Sequence, residues 1–114
     1  MELQTLREMR QSGRPVSIVD VRSAEEFAAG HVDGAVNIPA DQLQARAAEL
    51  PADTPIVTVC SFGGARSCGA AQRLRDLGHA DTLPLRGGTK AWQEQDRATE
   101  QRTPQSRSKP FLAR

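Results

Sequence analysis

Ile56-Val57-Thr58-Val59-Cys60-Ser61-Phe62-Gly63-Gly64-Ala65-Arg66-Ser67 is the stretch that decides how this chain folds. Its first four residues are all β-branched and read as a short strand. After the loop, Ala70, Leu74 and Leu77 recur at helical spacing and Gly78 marks a stop, so a helix follows from about Arg66 to Leu77. A strand that passes through a glycine-bearing loop into a helix has a chemical consequence. The loop curls so that successive N–H groups point inward, and the orphan N–H groups of the helix's first turn add a positive dipole end. Gly63 and Gly64 are both expected to supply the positive φ that such a curl needs. An anion at the centre is favoured. A Cys60 thiol placed there is held as thiolate, below the about 8.5 of a free cysteine. Arg66 adds a permanent charge and a planar donor fork suited to an oxyanion arriving opposite the sulfur. Cys60 therefore reads as a nucleophile beneath an anion site, with Ser61, Phe62, Gly63, Gly64, Ala65 and Arg66 forming the binding loop.

Outward from this loop, short β-like runs alternate with helical patterns. Leu3, Leu6 and Met9 predict an amphipathic helix over Glu2 to Ser12, and Val16 to Val21 a strand. Ser23 caps Ala24 to Ala29, with Glu25 and Glu26 in the first turn and Gly30 just past the end. Ala35 to Pro39 reads as a strand. Asp41 is expected to cap a helix through Leu50 that carries Leu43, Ala47 and Leu50 on one side. Thr82 to Leu85 forms a weak strand, Gly87-Gly88 a turn, and Lys90 to Gln95 a short helix around Trp92. Strands separated by helices give an α/β domain with a parallel sheet and helices on both faces. Ligands of such sheets bind beyond the carboxyl ends of the strands, where Cys60 sits.

Composition sets the outer bounds. A length of 114 residues is one domain, able to bury a core without disulfides or metal. Aromatics are only 4% of the chain, so the core must be aliphatic. The net charge of +1 argues against a nucleic-acid or membrane-surface binder, and no stretch matches the apolar run of a membrane span or secretory signal, so the cytoplasm is the expected location. Two cysteines, Cys60 and Cys68, are too few for a disulfide framework and lack zinc-site companions, so no metal and no cofactor is expected. From about Asp96 the periodicity stops. Residues 96–114 read as a flexible basic tail, in which Arg97, Arg102, Arg107, Lys109 and Arg114 against Asp96 and Glu100 leave +3, and the body, 1–95, at −2.

Three segments sharpen the identification. The run Asp20-Val21-Arg22-Ser23-Ala24-Glu25-Glu26-Phe27, continued by Gly30-His31-Val32-Asp33-Gly34-Ala35-Val36-Asn37-Ile38-Pro39, resembles the D-x-R…E-[FY]…G-H-[IV]-x-G-A-x-[NH]-[IL]-P signature of the rhodanese family of sulfurtransferases. Cys60 to Ser67 is similar to that family's active-site loop, and Leu85 to Trp92 to its closing G-G-x-x-x-W element. The resemblance spans residues 1–95. It implies a central, mainly parallel five-stranded sheet and a double displacement. Cysteine thiolate takes the outer sulfur of a small sulfur-containing anion such as thiosulfate, sulfite leaves, and the persulfide passes to a thiol or to cyanide. Carried onto this chain, Cys60 is the persulfide carrier, the amides from Ser61 to Arg66 cradle the sulfur, and Arg66 orients the donor.

The loop departs from the commonest rhodanese spacing, since five residues rather than four separate Cys60 from Arg66. That spacing resembles the dual-specificity phosphatases and arsenate reductases of the same fold, and a wider cradle admits a tetrahedral phosphate or arsenate. A phosphomonoesterase also needs a general acid for its leaving group. Ser61 to Ala65 contain no Asp or Glu, and Val59 stands where those phosphatases place His. Sulfite leaves without such help, which favours sulfur transfer over oxyanion chemistry. A binding or regulatory module that holds a persulfide with little turnover is the third reading.

Other residues are expected to be structural. Asp20 and Arg22 should form a hydrogen-bonded cluster with the loop, and Asp20, Arg22 and Ser67 are the expected supporting residues of the site. His31 should hold its turn through a backbone hydrogen bond. His79 should sit in an exposed loop, Trp92 should anchor the core, and Cys68 should be a packed helix residue.

Overall fold

The computed structural model describes the backbone of residues 1–102 and the side chains of residues 1–95. Four strands, β1 (Ser17–Asp20), β2 (Val36–Asn37), β3 (Ile56–Val59) and β4 (Thr82–Pro84), form one parallel sheet in the order β2-β1-β3-β4. Five helices, α1 (Leu3–Gln11), α2 (Ala24–Ala29), α3 (Leu43–Arg46), α4 (Ala65–Asp76) and α5 (Gly88–Arg102), connect and follow them.

The central strands are buried on both faces, as expected for β-branched runs in a parallel sheet. Val19, Ile56 and Cys60 pack on one side against Leu43 of α3 and Ala70 and Leu74 of α4. Ile18, Val57 and Val59 face the other way, onto Leu6 of α1, Val32, Leu85 and Trp92 of α5. Asp20 of β1 pairs in register with Val59 of β3, so both central strands release their chains at the same edge of the sheet. Cys60 and Arg22 leave from that edge.

The sheet has four strands where the resemblance implied five. Met1 lies beyond β4, donating its N-terminal amine to the Pro84 carbonyl and accepting from the Arg86 N–H. It pairs alone because Leu3 already begins α1. The helix expected from Asp41 to Leu50 is also divided, into a 3₁₀ turn at Ala40–Gln42, α3, and a second 3₁₀ turn at Ala47–Glu49. No side chain caps its start, and Leu50 is already extended because Pro51 follows it. Leu43, Ala47 and Leu50 are nevertheless all buried.

Three side chains fall elsewhere than expected. Leu77 is the C-cap of α4 and lies off the helical stripe, 40% exposed. Cys68 is exposed rather than packed, because α4 turns Ser67, Ala70, Ala71 and Leu74 inward and residue 68 lies a third of a turn away. His79 is half-buried, with Nε2 2.9 Å from the Ala47 carbonyl, which ties the end of α4 to the second 3₁₀ turn. Trp92 is 7% exposed in the core, beneath the guanidinium groups of Arg7 and Arg10. The helix that carries it continues to Arg102, past the Gln95 at which the sequence pattern ends. Ala98, Glu100, Gln101 and Arg102 have no apolar stripe but are good helix formers, enough to prolong an anchored helix. The remainder of the expected tail, 103–114, lies outside the described residues.

Candidate active site

β3 ends at Val59, and the next residue, Cys60, is 3% exposed. Its Sγ lies 3.3 Å from Ser67 Oγ, and the backbone N–H groups of Phe62, Gly64 and Ser67 all reach the sulfur. Burial pushes the thiol's pKa up. The hydrogen bonds outweigh it, Ser67's hydroxyl and amide foremost and then those of Gly64 and Phe62, so the net shift is downward and the thiolate is favoured. Ser67 Oγ also lies 3.2 Å from the Gly64 carbonyl. A neutral thiol lets the hydroxyl donate to that carbonyl; a thiolate draws the same proton to itself.

The curl is imposed from outside the loop. Thr89 N–H donates to the Cys60 carbonyl at 2.9 Å and Lys90 N–H to the Ser61 carbonyl at 3.0 Å. With the Cys60 and Ser61 carbonyls bound to the start of α5, the amides of Phe62 and Gly64 are left to act on the sulfur. This requires very close approach of two backbones. A Cβ on Gly63, at φ +74°, would lie 2.4 Å from the Gly87 nitrogen, and one on Gly88, at φ +59°, 2.2 Å from the Cys60 carbonyl oxygen. Gly64 differs from its neighbour, since its φ is −95° and nothing lies within 4 Å of its Cβ position. Only one of the two loop glycines thus supplies the positive φ. Ala65 opens α4, and Phe62 projects outward, 71% exposed.

Arg66 stands at the rim. Its Nη1 lies 3.3 Å from Glu26 Oε1 of α2, and its Nη2 donates to Ser61 Oγ at 3.1 Å. Glu26 is itself held by a reciprocal cap, its carboxylate accepting from the Ser23 N–H while its own N–H donates to Ser23 Oγ. The Ser23 backbone and then the Arg66 guanidinium keep its carboxyl below the usual carboxylate range.

Asp20 and Arg22 do form a buried cluster, but its hydrogen bonds go to other partners than the loop. Arg22 Nε and Nη2 grip the Asp20 carboxylate, the shortest contact being 2.8 Å, and Nη2 also donates to the Gly30 carbonyl at 2.7 Å. Asn37 Nδ2 donates to the carbonyls of Asp20 and Arg22, closing the group over the ends of β1 and β2. Its hydrogen bond to Asp20 holds the guanidinium above its ordinary pKa against the pull of burial, with a smaller contribution from the Cys60 charge. His31 holds its turn as expected, Nδ1 lying 2.8 Å from the Phe27 carbonyl and the ring stacked on Phe27 at 3.7 Å.

Two contributors escape a reading of the sequence. The Gly87-Gly88 pair is visible as a turn, but its packing against the loop depends on β4 lying beside β3. Glu26 stands forty residues from Arg66, and no local pattern joins them. Among the described residues, no cluster of His, Cys, Asp and Glu could hold a metal, and no helix is long and apolar enough to cross a membrane.

A sequence model of the rhodanese-like domain matches residues 2–95. The chain is 40% identical over 92 residues to the uncharacterized protein YqhL of Bacillus subtilis, covering 81% of this chain and 72% of that one. It is 40% identical over 81 residues to thiosulfate sulfurtransferase GlpE of Shewanella oneidensis, covering 71% and 79%. The solved structure of a human single-domain sulfurtransferase superposes with a TM-score of 0.74 at 31% identity, over 82% of this chain and 94% of that one.

Proposed function

The chain belongs to the rhodanese-like domain family, and on that premise we propose that it is a sulfurtransferase that carries sulfane sulfur on Cys60. The observation that carries this reading is the setting of one buried sulfur at the carboxyl edge of the sheet, where the Ser67 hydroxyl 3.3 Å away and the backbone amides of Ser67, Gly64 and Phe62 draw the thiol toward the thiolate in spite of burial.

The Cys60 thiolate attacks the outer sulfur of thiosulfate. A new S–S bond forms, the old one breaks, and its electron pair leaves on sulfite. The donors that favour the thiolate also stabilise the persulfide anion that replaces it. An acceptor thiolate or cyanide then attacks the outer sulfur, and the electron pair returns to Cys60. No proton transfer to a leaving group is needed, which suits a loop without a carboxylic acid. Arg66 meets the anionic end of the donor by exchanging its contact with Glu26. Residues 1–95 make up the working unit. A thiol nucleophile of this kind is kept reduced in the cytoplasm, which is the proposed location.

Intact-mass measurement after incubation with thiosulfate tests the reading. The full chain should gain one sulfur atom and Cys60→Ser none, and cyanide should discharge the adduct as thiocyanate. Absence of both adduct and thiocyanate would overturn the proposal. Turnover of an aryl phosphate, or of arsenate with a thiol reductant, would move the assignment to oxyanion chemistry. A stable adduct that no thiol or cyanide removes would leave a persulfide-binding module.

A further inference from the structure

The two central strands end side by side, Asp20 in register with Val59, and the residues that follow stay joined. Val21 N–H donates to the Val59 carbonyl at 3.0 Å, and Val21 and Cys60 belong to one apolar cluster. Arg22, one residue further on, forms part of the wall of a shallow pocket together with Ser61 and Phe62 of the loop. Its side chain is 8% exposed, and that of its partner Asp20 is 0% exposed. A permanent charge is thus buried beside the segment that carries the nucleophile.

The pair has a direction. Nε and Nη2 are taken up by the Asp20 carboxylate and the Gly30 carbonyl, whereas Nη1 has no partner among the described residues. Arg22 borders the loop residues, and Asp20 lies behind it, so the positive end is the nearer one. A buried ion pair adds little stability over an apolar pair of the same volume, and stability alone gives no reason for this one. The Asp20 hydrogen bond foremost, and the Cys60 charge in smaller part, hold the guanidinium above its ordinary pKa. Attraction is mutual, so the guanidinium favours the charged sulfur in return. The other charges around the loop are Glu26 of α2, Arg66 of α4 and Lys90 of α5, each partly or largely exposed, where water and salt screen them. α3 presents only Leu43 to the Cys60 cluster.

We propose that Asp20 and Arg22 are positioning residues of the nucleophile, a buried dipole whose positive end favours the Cys60 thiolate and, on the sulfurtransferase reading on which this rests, the persulfide anion that replaces it. The donors on Ser67, Gly64 and Phe62 act first and at close range. The pair acts from further off, through an interior that screens less than water does. During loading, Cys60 Sγ bonds to the outer sulfur of thiosulfate, the old S–S bond breaks, and sulfite leaves with its electron pair. The negative charge that stays on the protein passes from Sγ to the outer sulfur, within the same field.

In the full chain carrying Cys68→Ser, Cys60 is the sole thiol, and its ultraviolet thiolate absorbance is followed against pH alongside sulfur loading from thiosulfate. Asp20→Asn removes the opposing charge and should move the midpoint to lower pH, whereas Arg22→Gln should move it to higher pH. Loading below the midpoint should accordingly rise in the first and fall in the second, each by about three- to tenfold, the effect of one partly screened charge. The double variant, Asp20→Asn with Arg22→Gln, leaves no buried charge unpaired and so guards against loss of the fold. Its midpoint should lie above that of the Cys68→Ser parent. Single variants that shift the midpoint in the same direction, or a double variant with the parent's profile, would overturn the electrostatic role. A parent that titrates but takes up no sulfur would overturn the sulfurtransferase reading, and the absorbance midpoints would still decide the role of the pair.

Discussion

Ser67 is the residue on which the chemistry of Cys60 turns. Its hydroxyl and amide are the chief donors that hold the thiol below its ordinary pKa in spite of burial. Because the shift is downward, the reactive thiolate is populated at pH values below the ordinary thiol value and is lost as pH falls through the lowered one. The sulfur-loading rate should follow the same curve. Ser67→Ala removes one donor, so the midpoint of the pH–rate profile should move to higher pH. Loading near neutrality should fall about tenfold, the worth of one hydrogen bond to a charged group. A profile unchanged by the substitution would show that the hydroxyl does not select the thiolate. The sequence singled out Ser67 only as a support, since its distance from the sulfur depends on how tightly the loop closes. The sequence points Arg66 at the donor, whereas in the structure it rests on Glu26 and Ser61. An arriving anion competes with Glu26 for the guanidinium. Glu26→Gln, which still accepts from the Ser23 amide, should therefore lower KM for thiosulfate about two- to threefold with little change in kcat.

Among the elements, the joint between the Cys60 loop and the start of α5 is the least tolerant. Gly63 combines φ +74° with a Cβ position 2.4 Å from backbone nitrogen, so nothing flexible can yield to a larger residue. Gly63→Ala should lower stability by about 3 kcal/mol in urea unfolding and lose most of the loading activity. Gly69, within α4, has open space around its Cβ position and no such φ. Gly69→Ala should raise stability by roughly 0.5–1 kcal/mol, the ordinary gain of alanine over glycine in a helix. The sequence shows both as glycines in or near the loop–helix unit. Their opposite roles arise because Gly63 faces another chain segment and Gly69 faces solvent. The same logic separates the two cysteines, one helical turn of α4 placing Ser67 against Cys60 and Cys68 outside.

For the molecule as a whole, the buried apolar side chains of the described residues all lie between Leu6 and Trp92. A chain shortened to residues 1–95 should keep its melting temperature within about 2–4 °C and load sulfur as the full chain does. A large loss of either would show that residues beyond 95 belong to the folded unit. What the sequence by itself determined is what local physics encodes. The β-branched run before Cys60 made a doubly buried strand, Ser23 and Glu26 capped α2, and the order of strands and helices made a parallel sheet with covered faces. The thiolate-favouring loop also followed from the strand–glycine–helix order. Tertiary structure alone decided the rest, because it depends on pairs far apart in the chain. The order β2-β1-β3-β4 packs Gly87 and Gly88 against the loop and brings the Thr89 and Lys90 amides to its carbonyls, and α2 carries Glu26 to Arg66. The same arrangement brings Arg22, Phe62 and Lys90 to one shallow pocket beside the loop. Periodicity and capping act over a few residues, whereas these contacts exist only once the sheet has brought the carboxyl ends of its strands together.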